Sequence, residues 1–180
     1  KSELIQKEFQ ASSGLRIQKP SDAPEVLSTV SRLQSAIADQ PVYQSNIKKG
    51  RAILSVAETA LDDSVEIVKR AQELATWMSS ETYGSFERQQ AATEVTALRE
   101  RLISAANRDV AGRYVFSGKN FREPAYDATQ TYQGTNSEPQ TIIGKDNRLV
   151  VGFDGESIFE GAADPLAALA DLATAMNTDD

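Results

Sequence analysis

Between Ile47 and Ala75 the chain keeps a seven-residue interval. Ile47, Leu54, Leu61, Val68 and Ala75 recur at that spacing, and Ile53, Ala60, Ile67 and Leu74 repeat it one position ahead. Two adjacent rows of this kind make a broad apolar stripe, as on a helix buried lengthwise against other helices. Gly50, Ala57, Ser64 and Ala71 repeat beside it, and side chains that small let another backbone come close. The pattern predicts one very long helix from about Asp22 to Thr82. At 1.5 Å per residue such a helix is roughly 90 Å long, whereas a compact chain of this size has a radius of gyration of about 16 Å. A continuous helix of that length excludes a ball and predicts a rod, or part of one.

The flanking residues refine the expectation. Residues 1–11 read as an amphipathic helix with Leu4, Ile5 and Phe9 on one side, closed by Ser12-Ser13-Gly14. Leu15 through Pro20 reads as an extended linker, because a residue before proline is driven out of the α region. Ser21 or Asp22 then caps the long helix, with Pro24 in its first turn. Val26, Val30, Leu33 and Ile37 are expected to begin the buried stripe. Pro41 is expected to kink the helix, with a split into 22–39 and 43–82 as the alternative. Tyr83-Gly84 ends it. Ser85 is a plausible cap for a second helix, 86–107, with Val95, Leu98, Leu102 and Ile103 on its apolar face and Ala91, Ala92 and Ala105 between. The short turn predicts antiparallel packing. The second helix is too short to cover the whole stripe of the first, so something else must cover the rest.

Past Asn107 the pattern becomes strand-like. Gly112–Gly118, Thr129–Tyr132, Gln140–Ile143 and Arg148–Phe153 are strand candidates separated by Gly, Pro, Asn and Asp turn signals. Asp164-Pro165 then opens a last helix, 165–176, carrying Leu166, Leu169, Leu172 and Met176. The expected fold class is α+β: an elongated helical rod domain with a long N-terminal helix, plus a small β-rich domain. The expected division is a linker or spoke over 1–21, helical rod over 22–107 and 160–180, and β-rich region over 108–159. The chain does not begin with Met and its last helix stops while still amphipathic, so a longer parent is expected.

Composition excludes several chemistries. The 180 residues include no cysteine and no histidine, which removes thiolate catalysis, disulfides and the commonest acid–base group and metal ligand. The net charge is -7, which argues against nucleic acid as a partner. That charge is uneven: no Lys or Arg follows Arg148, while Asp154, Glu156, Glu160, Asp164, Asp171, Asp179 and Asp180 do. No run approaches the ~18 apolar residues of a membrane span, and the N-terminus has no apolar signal core.

Candidate catalytic motifs fail on inspection. Gly112 to Lys119 has the wrong glycine spacing for a phosphate loop, and Asn120 stands where a magnesium-binding hydroxyl is needed. Asp146-Asn147 and Asp154-Gly155-Glu156 lack the spaced ligands of a calcium loop and read as turns. Asp62 and Asp63 point about 100° apart on a helix and read as solvated charges. Ser12-Ser13 near Lys19 reads as linker.

One resemblance carries more. Ser12-Ser13-Gly14-Leu15-Arg16-Ile17, followed by Lys19-Pro20-Ser21-Asp22-Ala23-Pro24, resembles the N-terminal signature of the bacterial flagellin family. Leu15 and Ala23 depart from the form typical of its hook–filament junction branch, and Leu15 is the flagellin-like choice. The stretch Gly112-Arg-Tyr-Val-Phe-Ser-Gly118, then Pro124-Ala-Tyr126, Tyr132-Gln-Gly134 and Gly155-Glu-Ser-Ile-Phe159 resembles the junction branch itself.

That resemblance implies a non-enzymatic structural protein of the flagellum, exported through the flagellar type III apparatus without a cleaved signal peptide. It implies no cofactor, metal, nucleic acid or membrane. The implied partners are copies of itself in a ring or helical turn, hook-associated protein 1, flagellin and an export chaperone. It implies a core piece lacking the terminal helices, with a C-terminal helix of the parent running back along 22–82. On this view Gly14, Arg16, Pro20, Ser21 and Asp22 are the candidate assembly residues, although a linker and helix cap explain them equally well. A flagellin filament subunit and a secreted coiled-coil adhesin or export-system tip protein are the rival readings.

Overall fold

A computed structural model describes residues 24–80 and 82–178. The helix expected over 1–11 and the caps expected at Ser21 or Asp22 lie outside them. The chain divides into two compact units, one up to Gln44 and one from Ser45 onward.

The described part of the first unit is the opening of a single helix, α1, Pro24–Met78. Pro41 lies inside α1, so the expected split does not occur. Val26, Val30, Leu33 and Ile37 are exposed, where the sequence predicts the start of a buried stripe. They lie at helical spacing with no described element over them.

In the second unit, α1 buries a narrow seam. Gly50, Ile53, Ala57, Ala60, Ile67, Ala71 and Leu74 are buried, and Ser64 between them is half-buried. These positions alternate steps of three and four, which is the seam of helices packed along their length. The seam therefore runs through the small-residue row and the Ile53 row. The row of Ile47, Leu54, Val68 and Ala75 is only half-buried, and Leu61 is exposed. Small size decides this: Ala57, Ala60 and Ala71 bring the axes together, so the bulkier row is pushed to the flank. The Ser64 hydroxyl donates to Ala60 O at 2.7 Å, so the seam contains no orphaned polar group there.

The second helix, α2, spans Ser85–Ala106. All its expected apolar positions are buried. The pairing is antiparallel: Arg70 meets Glu94 and Asp63 meets Arg108. Its N-cap is Gly84, not Ser85. The Glu87 carboxylate accepts from Gly84 N at 3.1 Å, the half of a capping box that glutamate supplies at the third helical position.

Strands β1 (Asp109–Val110) and β2 (Arg113–Tyr114) form a hairpin. Its two turn residues, Ala111 and Gly112, have φ of 52° and 75°, the positive pair of a type I′ hairpin turn. Strands β3 (Gln140–Ile142) and β4 (Arg148–Val150) form a second hairpin, with Ile142 opposite Arg148. It seats on α1 where Asn46 Nδ2 donates to Ile142 O at 2.7 Å. A Cβ on Gly50 would lie 2.6 Å from Leu149 Cδ2, so glycine there admits the hairpin.

The expected strands are shorter in the structure. Gly112–Gly118 becomes β2 followed by irregular backbone, and Thr129–Tyr132 keeps only a bridge from Tyr126 to Tyr132. A short helix, α3, Gly155–Phe159, is capped by Asp154, whose side chain accepts from Glu156 N. The last helix, α4, is Pro165–Thr178, with Leu166, Leu169 and Met176 buried and Leu172 half-buried. One continuous apolar core joins the helices and the β region. The fold is α+β.

Candidate functional site

Gly14, Arg16, Pro20, Ser21 and Asp22 lie outside the described residues, so the structure brings none of them together. It does bring together the motif residues between Gly112 and Phe159. Phe116, Tyr126 and Phe159 are buried, and they meet ring to ring. Phe159 stands edge-on to Phe116 at 5.2 Å and to Tyr126 at 6.3 Å. Tyr132 packs on Tyr126 at 5.5 Å, and Phe153 on Phe116 at 6.1 Å. Edge-to-face pairs at these separations are favourable beyond the area they bury.

Polar contacts lock this cluster. The Tyr132 hydroxyl shares its proton between Phe116 O at 3.1 Å and Asp154 Oδ1 at 3.2 Å, and accepts from Gly155 N at 3.1 Å. Ser117 Oγ donates to Glu123 O at 2.8 Å. The Asn107 carboxamide pairs with the backbone of Tyr126 in both directions. Gly134 makes room for the Tyr132 ring, since a Cβ there would lie 2.3 Å from it.

Burial, and then the Asp154 charge, push the Tyr132 pKa up to about 12. Burial raises Tyr126 further, with Glu160 adding to it. The Tyr126 hydroxyl makes no hydrogen bond of good geometry, although Glu160 is close enough to bear on its ionisation. Burial thus favours the neutral phenol at both positions. Their work is packing.

Gly118 and Lys119 do not cradle an anion. Gly118 N donates to Phe153 O at 3.0 Å and Lys119 N to Thr135 Oγ1 at 2.7 Å. Gly118 has φ of 59°, and a Cβ on it would lie 2.1 Å from Thr135 O. Asp154 is a helix cap, and the described residues hold no group of three potential metal ligands. No described helix is long and apolar enough to cross a membrane.

Charged side chains tie the helices. Arg70 bonds Glu94 at 2.7 Å and Glu73 at 3.2 Å, and these carboxylates, Glu94 first, raise its pKa. Its guanidinium also lies 5.2 Å from the Trp77 ring centroid. Asp63, expected as a solvated charge, is instead half-buried and pairs with Arg108. No sequence signal links two residues 45 apart. Arg99 joins α2 to the Leu166 carbonyl and to Gln130. Arg113 stacks over Phe121 at 4.2 Å, and burial lowers its pKa. Beside α4, Val68, Ala71, Ala75, Pro165, Leu169 and Leu172 line an apolar groove of about 300 Å³.

The chain and its fold have relatives. Residues 1–121 match the family model for the bacterial flagellin N-terminal helical region. Flagellar hook-associated protein 3 of Escherichia coli is 29% identical over 153 residues, covering 84% of this chain and 48% of that protein. That match is longer than the family model's, so it takes in part of the chain beyond residue 121. The flagellar filament 33 kDa core protein of Treponema phagedenis is 27% identical over 109 residues, 61% of this chain and 36% of that protein. Among solved structures, a putative flagellar hook-associated protein from Vibrio parahaemolyticus superposes with a TM-score of 0.73. It is 22% identical, and the match covers 91% of this chain and 74% of that one. The chain thus spans about half the length, or less, of these two curated relatives.

Proposed function

Because this chain belongs to the family of the bacterial flagellin N-terminal helical region, we propose that it is a structural junction component of the flagellum. It connects the hook region to the flagellin filament and carries out no catalysis. The observation that supports this reading is the closed aromatic core of Phe116, Tyr126, Tyr132 and Phe159. The four residues come one each from the four stretches that resemble the junction branch rather than the filament branch. They pack into the one apolar core that joins the β region to the helices.

On this reading the partners are copies of the chain in a ring or helical turn, hook-associated protein 1, flagellin, and an export chaperone during secretion. The site of action is outside the cell, after passage through the type III apparatus. Gly14, Arg16, Pro20, Ser21 and Asp22 act in assembly, as the spoke between core helices and rod. The division into spoke, helical rod and β-rich region belongs to the same reading.

A filament subunit is the second reading, favoured by the likeness to the treponemal core protein. Deleting the parent gene tests both. Hooks without filaments, with flagellin lost to the medium, support the junction role. Loss of flagellin altogether supports the filament subunit. Normal filaments on every cell contradict both and leave the adhesin class.

A further inference from the structure

The described residues carry two opposite charge poles that form no ion pair with each other. One surrounds the seat of the β3–β4 hairpin on α1. Lys49 and Arg51 flank Gly50 on the helix, and Lys145 and Arg148 lie on the hairpin that Gly50 admits. All four are exposed. Among the described residues none makes an ion pair, and Asp146 is the only carboxylate between Gln140 and Val151. The exposed Ile142, at 49%, sits among them opposite Arg148.

The other pole follows Phe153, where the sequence has no Lys or Arg at all. Glu160 and Asp171 are exposed there and form no ion pair among the described residues. Arg99 reaches this face, but it is committed to Leu166 O and Gln130. Helix α4 lies beside Val68–Ala75 of α1, about 20 residues beyond Gly50. Along a helix that puts α4, with Asp171, roughly 30 Å from Gly50, several times the ~8 Å over which exposed charges interact in physiological salt; Glu160 follows α3, close in the chain to the Val151 that borders Gly50, and lies nearer.

From this separation we infer that the basic hairpin seat of one copy docks on the acidic α3–α4 face of a second copy, head to tail. The inference rests on the reading that the chain assembles with copies of itself. Complementary poles at two places on one chain make a heterologous contact. Such a contact propagates around a ring or along a helix instead of closing a two-fold dimer. The charges set register and exclude the reversed arrangement, in which like poles meet.

These 180 residues contain no cysteine, so a pair of introduced cysteines, in a parent with any other cysteine replaced by serine, gives a direct test. Full-length protein carrying both Arg148→Cys and Asp171→Cys replaces the wild type in cells, and sheared flagella are oxidised. Disulfide-linked oligomers are expected from the double variant and not from either single variant. Only monomer from the double variant, in flagella that carry filaments, overturns the inference.

Charge reversal gives a second readout that does not depend on disulfide geometry. K145E with R148E, or E160K with D171K, is expected to lower the fraction of cells bearing filaments about tenfold. All four together are expected to return it to within about twofold of wild type. A fourfold variant no better than either pair overturns the inference. Filaments that persist when the gene is deleted contradict the junction reading instead, so the two failures are distinguishable.

Discussion

Asn107 holds the backbone of Tyr126 from both sides. Its Nδ2 donates to Tyr126 O at 2.8 Å, and Tyr126 N donates to its Oδ1 at 2.8 Å. Asn107 is also the C-cap of α2, so one carboxamide joins the end of the helical hairpin to the centre of the aromatic core. Replacing it by alanine leaves two inward backbone groups without partners. Asn107→Ala is expected to cost about 2–3 kcal/mol, measured by urea unfolding. Asn107→Asp keeps the acceptor but turns a carboxylate on a carbonyl, and is expected to be at least as damaging. A loss below about 0.5 kcal/mol for both would show that the pairing does not hold the loop.

Tyr132 gives a prediction with a sign in pH. Its pKa rises to about 12 in the folded chain, chiefly through burial, while an unfolded tyrosine ionises near pH 10. The folded state holds that proton more tightly. Its contribution is therefore complete below about pH 10 and is lost as pH rises through about 12. Tyr126 is shifted the same way by burial. Tyr132→Phe is expected to cost about 1–2 kcal/mol at pH 7 through the lost hydroxyl contacts, and to flatten the alkaline decline. Urea midpoints from pH 8 to 11.5 measure both, and parallel declines in the two proteins would refute the assignment.

The packing of α1 predicts an inversion of the usual rule. Ala60 is fully buried in the seam, whereas Leu61 is 37% exposed. Adding carbons at Ala60 is expected to do more harm than removing them at Leu61. Ala60→Leu is expected to cost about 2–3 kcal/mol by overpacking, and Leu61→Ala under about 1 kcal/mol. The reverse order in thermal unfolding of this chain would place the seam on the Leu54–Leu61–Val68 row.

Gly50 and Leu149 are expected to be coupled. Glycine inside a helix is about 1 kcal/mol worse than alanine, so Gly50→Ala should stabilise unless the methyl meets something. Here it would meet Leu149 Cδ2 at 2.6 Å. The gain is expected to appear in a Leu149→Ala background and to vanish or reverse with Leu149 present. A double-mutant cycle with coupling near zero would mean that the hairpin does not sit on the helix at this point.

How far the sequence led can be seen at particular residues. The seven-residue interval disclosed α1, and the apolar face of α2 was legible from Val95 to Ala105, because periodicity survives without knowledge of the partner. Choosing between the Leu54–Leu61 row and the Ala57–Ser64 row as the neighbour of the Ile53–Ala60 row was not possible. Both repeat identically, and only the close approach of a second helix selects the smaller one. Helix α3 is a single turn, too short to show a period. Its cap, Asp154, looked like any turn aspartate.

Gly84, not Ser85, is the cap of α2, and the Glu87 carboxylate accepts from its N–H. The motifs from Gly112 to Phe159 were readable as a resemblance, but that their aromatics form one core is a fact of three dimensions. The same holds for the Asp63–Arg108 pair. The candidate assembly residues from Gly14 to Asp22 lie where the structure describes nothing, so their role stays a proposal.

The central claim is positional, and immunogold electron microscopy of intact flagella tests it most directly. With antibody raised against residues 45–178, the account predicts gold confined to the boundary between hook and filament. Gold along the whole filament, or on the cell body alone, would contradict it.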